Sequence, residues 1–169
     1  TGHTLGNLMM AALSSITGSE LKAIEAACRL FKVRGKVLPV TFAKTHLVAE
    51  YYDGEKVTGE HFIDEPKKKI LRHIKKLYLK PSVKANSEVL SEIQRADYII
   101  AGPGDLYTST LANIIVNGVA KAIEKNTGKF IFISNLMTKK GQTDSMGAVN
   151  LVTEIARYSR RLPDIVIVD

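Results

Sequence analysis

The chain has 169 residues, 45% of them hydrophobic, with 12 Gly and 5 Pro, which suits one globular domain with a sizeable core. One cysteine, Cys28, excludes an internal disulfide, and no apolar run is long enough to span a membrane, so a cytoplasmic protein is the expectation. The net charge of +7 is concentrated in residues 67–84, which hold eight Lys or Arg and no Asp or Glu. Taken in order, residues 1–17 place Leu5, Leu8, Met9, Ala12, Leu13 and Ile16 on one helical face. Gly2, His3, Gly6 and Asn7 crowd the start of that helix, where a structural helix needs one cap, and glycines beside polar groups fit either a ligand or a solvated helix start. Gly18-Ser19 breaks the pattern, with Ser19 as the next cap. A second helix from Glu20 to about Lys32 turns Leu21, Ile24, Ala27, Cys28 and Phe31 inward. Pro39 argues against a central strand at residues 36–41.

Residues 46–52 (HLVAEYY) read as a strand, Asp53-Gly54 as a hairpin turn, and residues 56–63 (KVTGEHFI) as its antiparallel partner. His46 and His61 could meet across the hairpin, but the sequence places no further ligands for a metal, and solvated or edge histidines are the expectation. The basic segment follows. Residues 66–69 read as a turn and 74–79 as a strand with solvated lysines. We expect 67–84 to form a solvated turn and an edge strand, not a ligand groove, with no specific nucleic-acid binding. Residues 87–95 form a short helix with Val89, Leu90 and Ile93 as its apolar side.

The stretch from Ala96 to about Asn126 organises the chain. An apolar strand, Asp97 to Ala101, ends at Gly102-Pro103-Gly104. Asp105, Thr108 and Ser109 stand where helix caps are expected. Leu111, Ile114, Ile115, Val119 and Ile123 recur at helical spacing through one helix, residues 108–125. Strand, glycine turn and hydroxyl-rich helix start make an anion site, because the first amides of a helix lack partners. The same pattern fits a plain strand-to-helix turn. Asn126-Thr127-Gly128 stops the helix, and residues 129–134 (KFIFIS) form a second apolar strand, parallel to the first. A polar loop, residues 135–143, follows it. Asp144 or Ser145 caps a last helix running to about Arg160, and residues 164–168 form a final strand. Ligands of parallel sheets bind beyond the carboxyl ends of the strands, where the Gly102 turn and the Asn135 loop both fall.

Four separated blocks carry a resemblance. GHTLGNL at the amino end, RGKVLP at residues 34–39, AGPGDLYTS and SNLMTKKGQTD resemble the gluconeogenesis-factor family, the YvcK-like branch of the CofD-like superfamily. The resemblance implies an α/β, Rossmann-like three-layer fold with a mainly parallel sheet and a small antiparallel hairpin insertion. It implies one CofD-like domain over residues 1–169, read as an internal portion lacking the family's amino-terminal glycine-rich nucleotide loop. It further implies binding of a UDP-sugar such as UDP-N-acetylglucosamine, and regulation of gluconeogenic carbon metabolism and of cell shape or wall synthesis. The sister branch is a magnesium-dependent 2-phospho-L-lactate transferase, which stands as the alternative. No cofactor is certain, magnesium being the candidate, and a homo-oligomer is compatible with the resemblance.

Position by position, the ligand residues so implied are His3, Gly6 and Asn7, then Gly102, Gly104, Asp105, Leu106, Tyr107, Thr108 and Ser109, then Asn135, Thr138, Gly141 and Thr143. Asp105 departs from the family's serine and brings a negative charge to a phosphate site. Lys139 and Lys140 replace a Gln-Pro pair and Gln142 replaces Glu, which makes the second loop cationic enough to balance Asp105.

Overall fold

The computed structural model describes residues 4–65 and 73–168, so His3 and the lysine-rich turn at 66–69 lie outside the described residues. The chain divides into two compact units, residues 1–39 and 40–169.

The first unit is a helical hairpin. Helix α1, Leu5–Thr17, is capped by Thr4, whose hydroxyl accepts from the Asn7 amide at 3.3 Å. It ends at Gly18, where φ is +66° and the left-handed turn lets the amide reach the Ser14 carbonyl. Helix α2, Glu20–Leu30, starts at Ser19 as expected, though without a side-chain cap bond. The expected apolar stripes are only partly covered. Met9, Leu13, Ile24, Ala27 and Cys28 are half-buried, whereas Leu5, Leu8, Ala12 and Ile16 on α1 and Leu21 and Phe31 by α2 are exposed. Two helices offer each other one contact line, and a stripe wider than that line stays uncovered.

The second unit is mixed α/β. Strand β1, His46–Tyr51, lies between β2, Lys56–Thr58, and β3, Ile74–Lys80, in an antiparallel sheet. The expected hairpin is therefore one strand larger, with β3 as an edge. Its second strand is also shorter than expected. Gly59 has φ +102° and turns the chain into α3, Glu60–Asp64. His61 thus sits on a helix and not on the strand paired with β1. Among the described residues no group of three His, Cys, Asp or Glu is placed to hold a metal.

Helix α4, Ser87–Arg95, is capped by Asn86 and leads into the parallel sheet of β4, Tyr98–Ala101, β5, Lys129–Ile133, and β6, Ile165–Ile167, in that spatial order. Ile99 pairs with Phe130 and Phe132 with Val166, so these side chains share one sheet face. Phe130 and Phe132 join Leu111, Ile114, Ile123 and Ile155 from the helices in one core that also takes in Leu47, Ala49 and Tyr51 of β1. The opposite face, with Tyr98, Ile100, Ile165 and Ile167, is exposed.

The expected crossover helix at 108–125 is three pieces. A π-helical turn, Leu106–Thr110, runs into α5, Leu111–Ile114, and after a break α6, Val119–Lys125, resumes. The break has a cause in β pairing. Asn117 donates to the Val83 carbonyl and accepts from the Ala85 amide, each at 3.0 Å, and Gly118 reverses the chain at φ +109°. The last helix also starts later than expected. Asp144 accepts from the Gly141 amide instead of capping, Ser145 takes a positive φ, and α7 is Ala148–Ser159 behind Gly147.

Buried Asn126 ties the parallel sheet together at its amino edge. Its amide nitrogen donates to the Ile93 and Ala96 carbonyls, both at 2.8 Å, and its oxygen accepts from Gly128 at 2.9 Å. Gly128 has no room for a side chain, since a Cβ there would lie 2.4 Å from the Ala96 and Asp97 carbonyl oxygens. Arg161 donates to the carbonyls of Asn126 and Gly128 and to Asp164, whose carboxylate also accepts from the Phe130 amide.

Asn126→Ala leaves these carbonyls without their donor and should cost about 1–3 kcal/mol in urea unfolding. Asp164 is held below the ordinary carboxylate range, first by the Phe130 amide and then by Arg161. A lowered folded pKa contributes stability above the unfolded value and loses it as pH falls through the folded one. Asp164→Asn should therefore be less stable at neutral pH, and the difference should vanish in acid, as pH-resolved thermal melts would show.

Candidate functional site

Because β4, β5 and β6 are parallel, the Gly102 turn, the loop after Ile133 and Val168 all emerge at one edge. The two expected loops meet there. The Gly104 amide donates to Asn135 Oδ1 at 2.6 Å. Between them lies a cavity of about 170 Å³, lined by Gly104, Leu106, Asn135, Thr138, Thr143 and Met146 among others. A second hollow of about 340 Å³ opens on the other side of the glycine turn, against Gly102, Gly104 and Ser109. Gly104 lines both. A Cβ at Gly104 would sit 3.3 Å from the Ser109 Cβ, so the turn packs closely on the helix start.

The expected caps take other roles. Asp105 does not cap the π-helical turn, and its carboxylate binds Lys139 Nζ at 2.5 Å. The Thr108 hydroxyl is buried and donates to Asp64 at 2.6 Å. Asp64 also accepts from Gln142 Nε2 at 2.7 Å and lies 3.4 Å from Lys139 Nζ. Lys139 is thus held between two carboxylates. Burial works against its charge, but the Asp105 hydrogen bond and the Asp64 charge outweigh that and raise its pKa above the ordinary lysine value. The cationic second loop does balance Asp105, through Lys139. Lys140 is exposed.

Tyr107 is buried and donates to Glu154 at 3.3 Å; burial first, and then the Glu154 charge, push its phenol well above the ordinary tyrosine value. Thr143 faces the cavity and also fixes its own loop, accepting from the Lys139 amide at 2.7 Å. Gly141 makes the tight turn of that loop, with φ +79°. Ser109 and Thr138 are exposed. Gly6 and Asn7 occupy the first turn of α1 in the first unit. Two residues of the site escaped sequence reasoning. Asp64 lies one residue past the expected strand at 56–63, and Glu154 stands on the last helix with no motif around it.

The family model for 2-phospho-L-lactate transferase CofD matches residues 1–169. The chain belongs to the CofD family. Within it, the chain is 42% identical over 149 residues to a gluconeogenesis factor of Halalkalibacterium halodurans, covering 88% of this chain and 45% of that one. It is 41% identical over 144 residues to the gluconeogenesis factor of Bacillus subtilis, covering 85% and 44%. A crystal structure of a UPF0052-family protein from Bacillus halodurans superposes with a TM-score of 0.88 at 38% identity, over 99% of this chain and 54% of that one. The chain spans about half the length of the relatives it matches. No described helix of this CofD-family chain is long and apolar enough to cross a membrane.

Two measurements check the loop contacts. Asn135→Ala removes the acceptor of the Gly104 amide, whose hydrogen exchange should quicken while that of β5 stays unchanged. Lys139→Met leaves Asp105 and Asp64 facing each other and should cost about 1 kcal/mol in urea unfolding, the scale of a partly exposed ion pair.

Proposed function

We propose that the chain is the ligand-binding part of a nucleotide-sugar-binding regulator acting in the cytoplasm on gluconeogenic carbon metabolism and cell shape, with a UDP-sugar such as UDP-N-acetylglucosamine in the carboxyl-edge cleft. The observation that carries this reading is the Gly104–Asn135 contact, which joins a glycine turn and a polar loop around a cavity at the edge where parallel sheets bind ligands. The Gly104 backbone offers close approach to a diphosphate. Thr138, Thr143 and Asn135 offer neutral hydrogen bonds, and Lys139 offers a charge once it leaves Asp105.

The alternative is a transferase of the 2-phospho-L-lactate type, favoured by the name of the matching family model. That branch implies magnesium. Asp64 and Asp105 already share the Lys139 ammonium, an arrangement that fits a lysine-neutralised pair and not a protein-built magnesium cage.

Titration calorimetry of the full-length protein with UDP-N-acetylglucosamine tests the reading. Gly104→Val should abolish binding, and Ser109→Ala should cost about 0.5–1.5 kcal/mol. Asp105→Ser frees Lys139 toward phosphate and should tighten binding by about 1 kcal/mol in magnesium-free buffer. Unchanged affinity in Gly104→Val would refute the site. Magnesium-dependent turnover of a guanylated phospholactate would establish the transferase instead. The same titration with Asn7→Ala asks whether the α1 start takes part.

A further inference from the structure

The cleft does not account for the open edge of the antiparallel sheet. β3 is an edge strand, and alternate residues of an antiparallel strand point their backbone groups to opposite sides. Leu77 points away from β1, since its amide donates to Tyr158 Oη at 2.8 Å, and the Lys75 carbonyl accepts from Arg157 at 2.9 Å. Leu79 shares that parity. Its N–H and C=O therefore face a groove of about 520 Å³ between β3 and the helix break at residues 114–118. Side chains of α7 engage the Lys75 carbonyl and the Leu77 amide, and among the described residues none engages Leu79.

The groove has one sign of charge. Lys121, Arg157 and Arg160 line it, and among the described residues no carboxylate does. Arg157 and Arg160 each have one carboxylate partner outside the lining, Glu154 at 3.2 Å and Glu124 at 3.9 Å, while Lys121 forms no ion pair among the described residues. The floor is apolar, with Leu77, Ile114 and Val116 buried. This departs from the sequence reading of 67–84, which accounts for lysines on an edge strand but not for a groove beside it.

We propose that an extended acidic peptide segment of a partner protein binds here, adding a short strand to β3 at Leu79 and setting its carboxylates against Lys121, Arg157 and Arg160. An unpaired strand edge recognises a peptide backbone, and flanking charges choose which peptide. A nucleic acid would answer the same cations but not the strand edge. It would also want an aromatic face, and Lys76 Nζ already covers Tyr78 at 5.6 Å from the ring centre.

Fluorescence anisotropy tests this, with the full-length protein and a dye-labelled octapeptide of alternating Thr and Glu at physiological salt. Binding should saturate, and it should fail for the Thr–Lys octapeptide and for a backbone N-methylated Thr–Glu octapeptide. Lys121→Gln with Arg160→Gln, both exposed, should weaken it about fivefold without altering the circular dichroism. The Leu79 amide should exchange more slowly when peptide is bound. Absence of saturation, equal binding of the Thr–Lys peptide, indifference to N-methylation, unchanged affinity in the double variant, or stronger binding of an oligothymidylate would each overturn the proposal.

Discussion

Asn126 is the residue on which the parallel half of the fold depends. A buried side-chain amide is costly unless its groups are paired, and this one bonds to the end of α4, to the approach to β4 and to the start of β5. It therefore fixes where the α6 crossover returns to the sheet. Arg161 repeats the device from the other side, binding the carbonyls of Asn126 and Gly128 before β6 begins. The amino edge of the sheet is thus locked by side chains, which leaves the carboxyl edge open for loops. Gly128 completes the arrangement because its Cα lies where two carbonyl oxygens exclude any side chain.

At the carboxyl edge the loops are held by charge rather than by regular structure. Lys139 draws Asp105 and Asp64 together, and Asp64 reaches back to Thr108 and Gln142. Three chain segments, the end of α3, the π-helical turn and the second loop, meet at one carboxylate. In the function proposed above, a phosphate in this cleft would compete with Asp105 for the same ammonium. On that proposal the binding free energy would reflect a difference between two ion pairs of Lys139, not a wholly new one.

Periodicity made the parallel strands, their adjacency and the meeting of their loops legible, because strands buried on one face and amphipathic helices leave strong apolar patterns. It failed where long-range pairing overrode local preference. The helix from Leu111 to Ile123 keeps its spacing through the break, since Ile115, Val116 and Val119 are apolar whichever way the chain turns. Nothing local announces that Asn117 pairs with residues 83–85. Residues 60–63 read as strand because HFI is apolar, yet Gly59 had already turned the chain into α3. At the site, Asp105 and Lys139 were visible as a compensating pair because both depart from the resembling motifs. Asp64 was invisible, since a lone aspartate after a short apolar run carries no signal until tertiary structure brings it beside Thr108.

The break at Gly118 links the two halves of the second unit. If α5 and α6 ran as one helix, Asn117 would spend its amide and carbonyl within the helix, and residues 83–85 would lose their partner. The bridge instead anchors the segment after β3 to the crossover between β4 and β5. The left-handed turn at Gly118 packs beside Leu90 of α4, where a Cβ would approach the Leu90 Cδ1 to 3.1 Å. One glycine thus serves the antiparallel sheet, the crossover and α4 together. The same kink lines the groove beside Leu79, so the groove is a by-product of joining the two sheets. An edge made this way cannot be closed by lengthening β3, because the chain beyond Lys80 is already committed to Asn117.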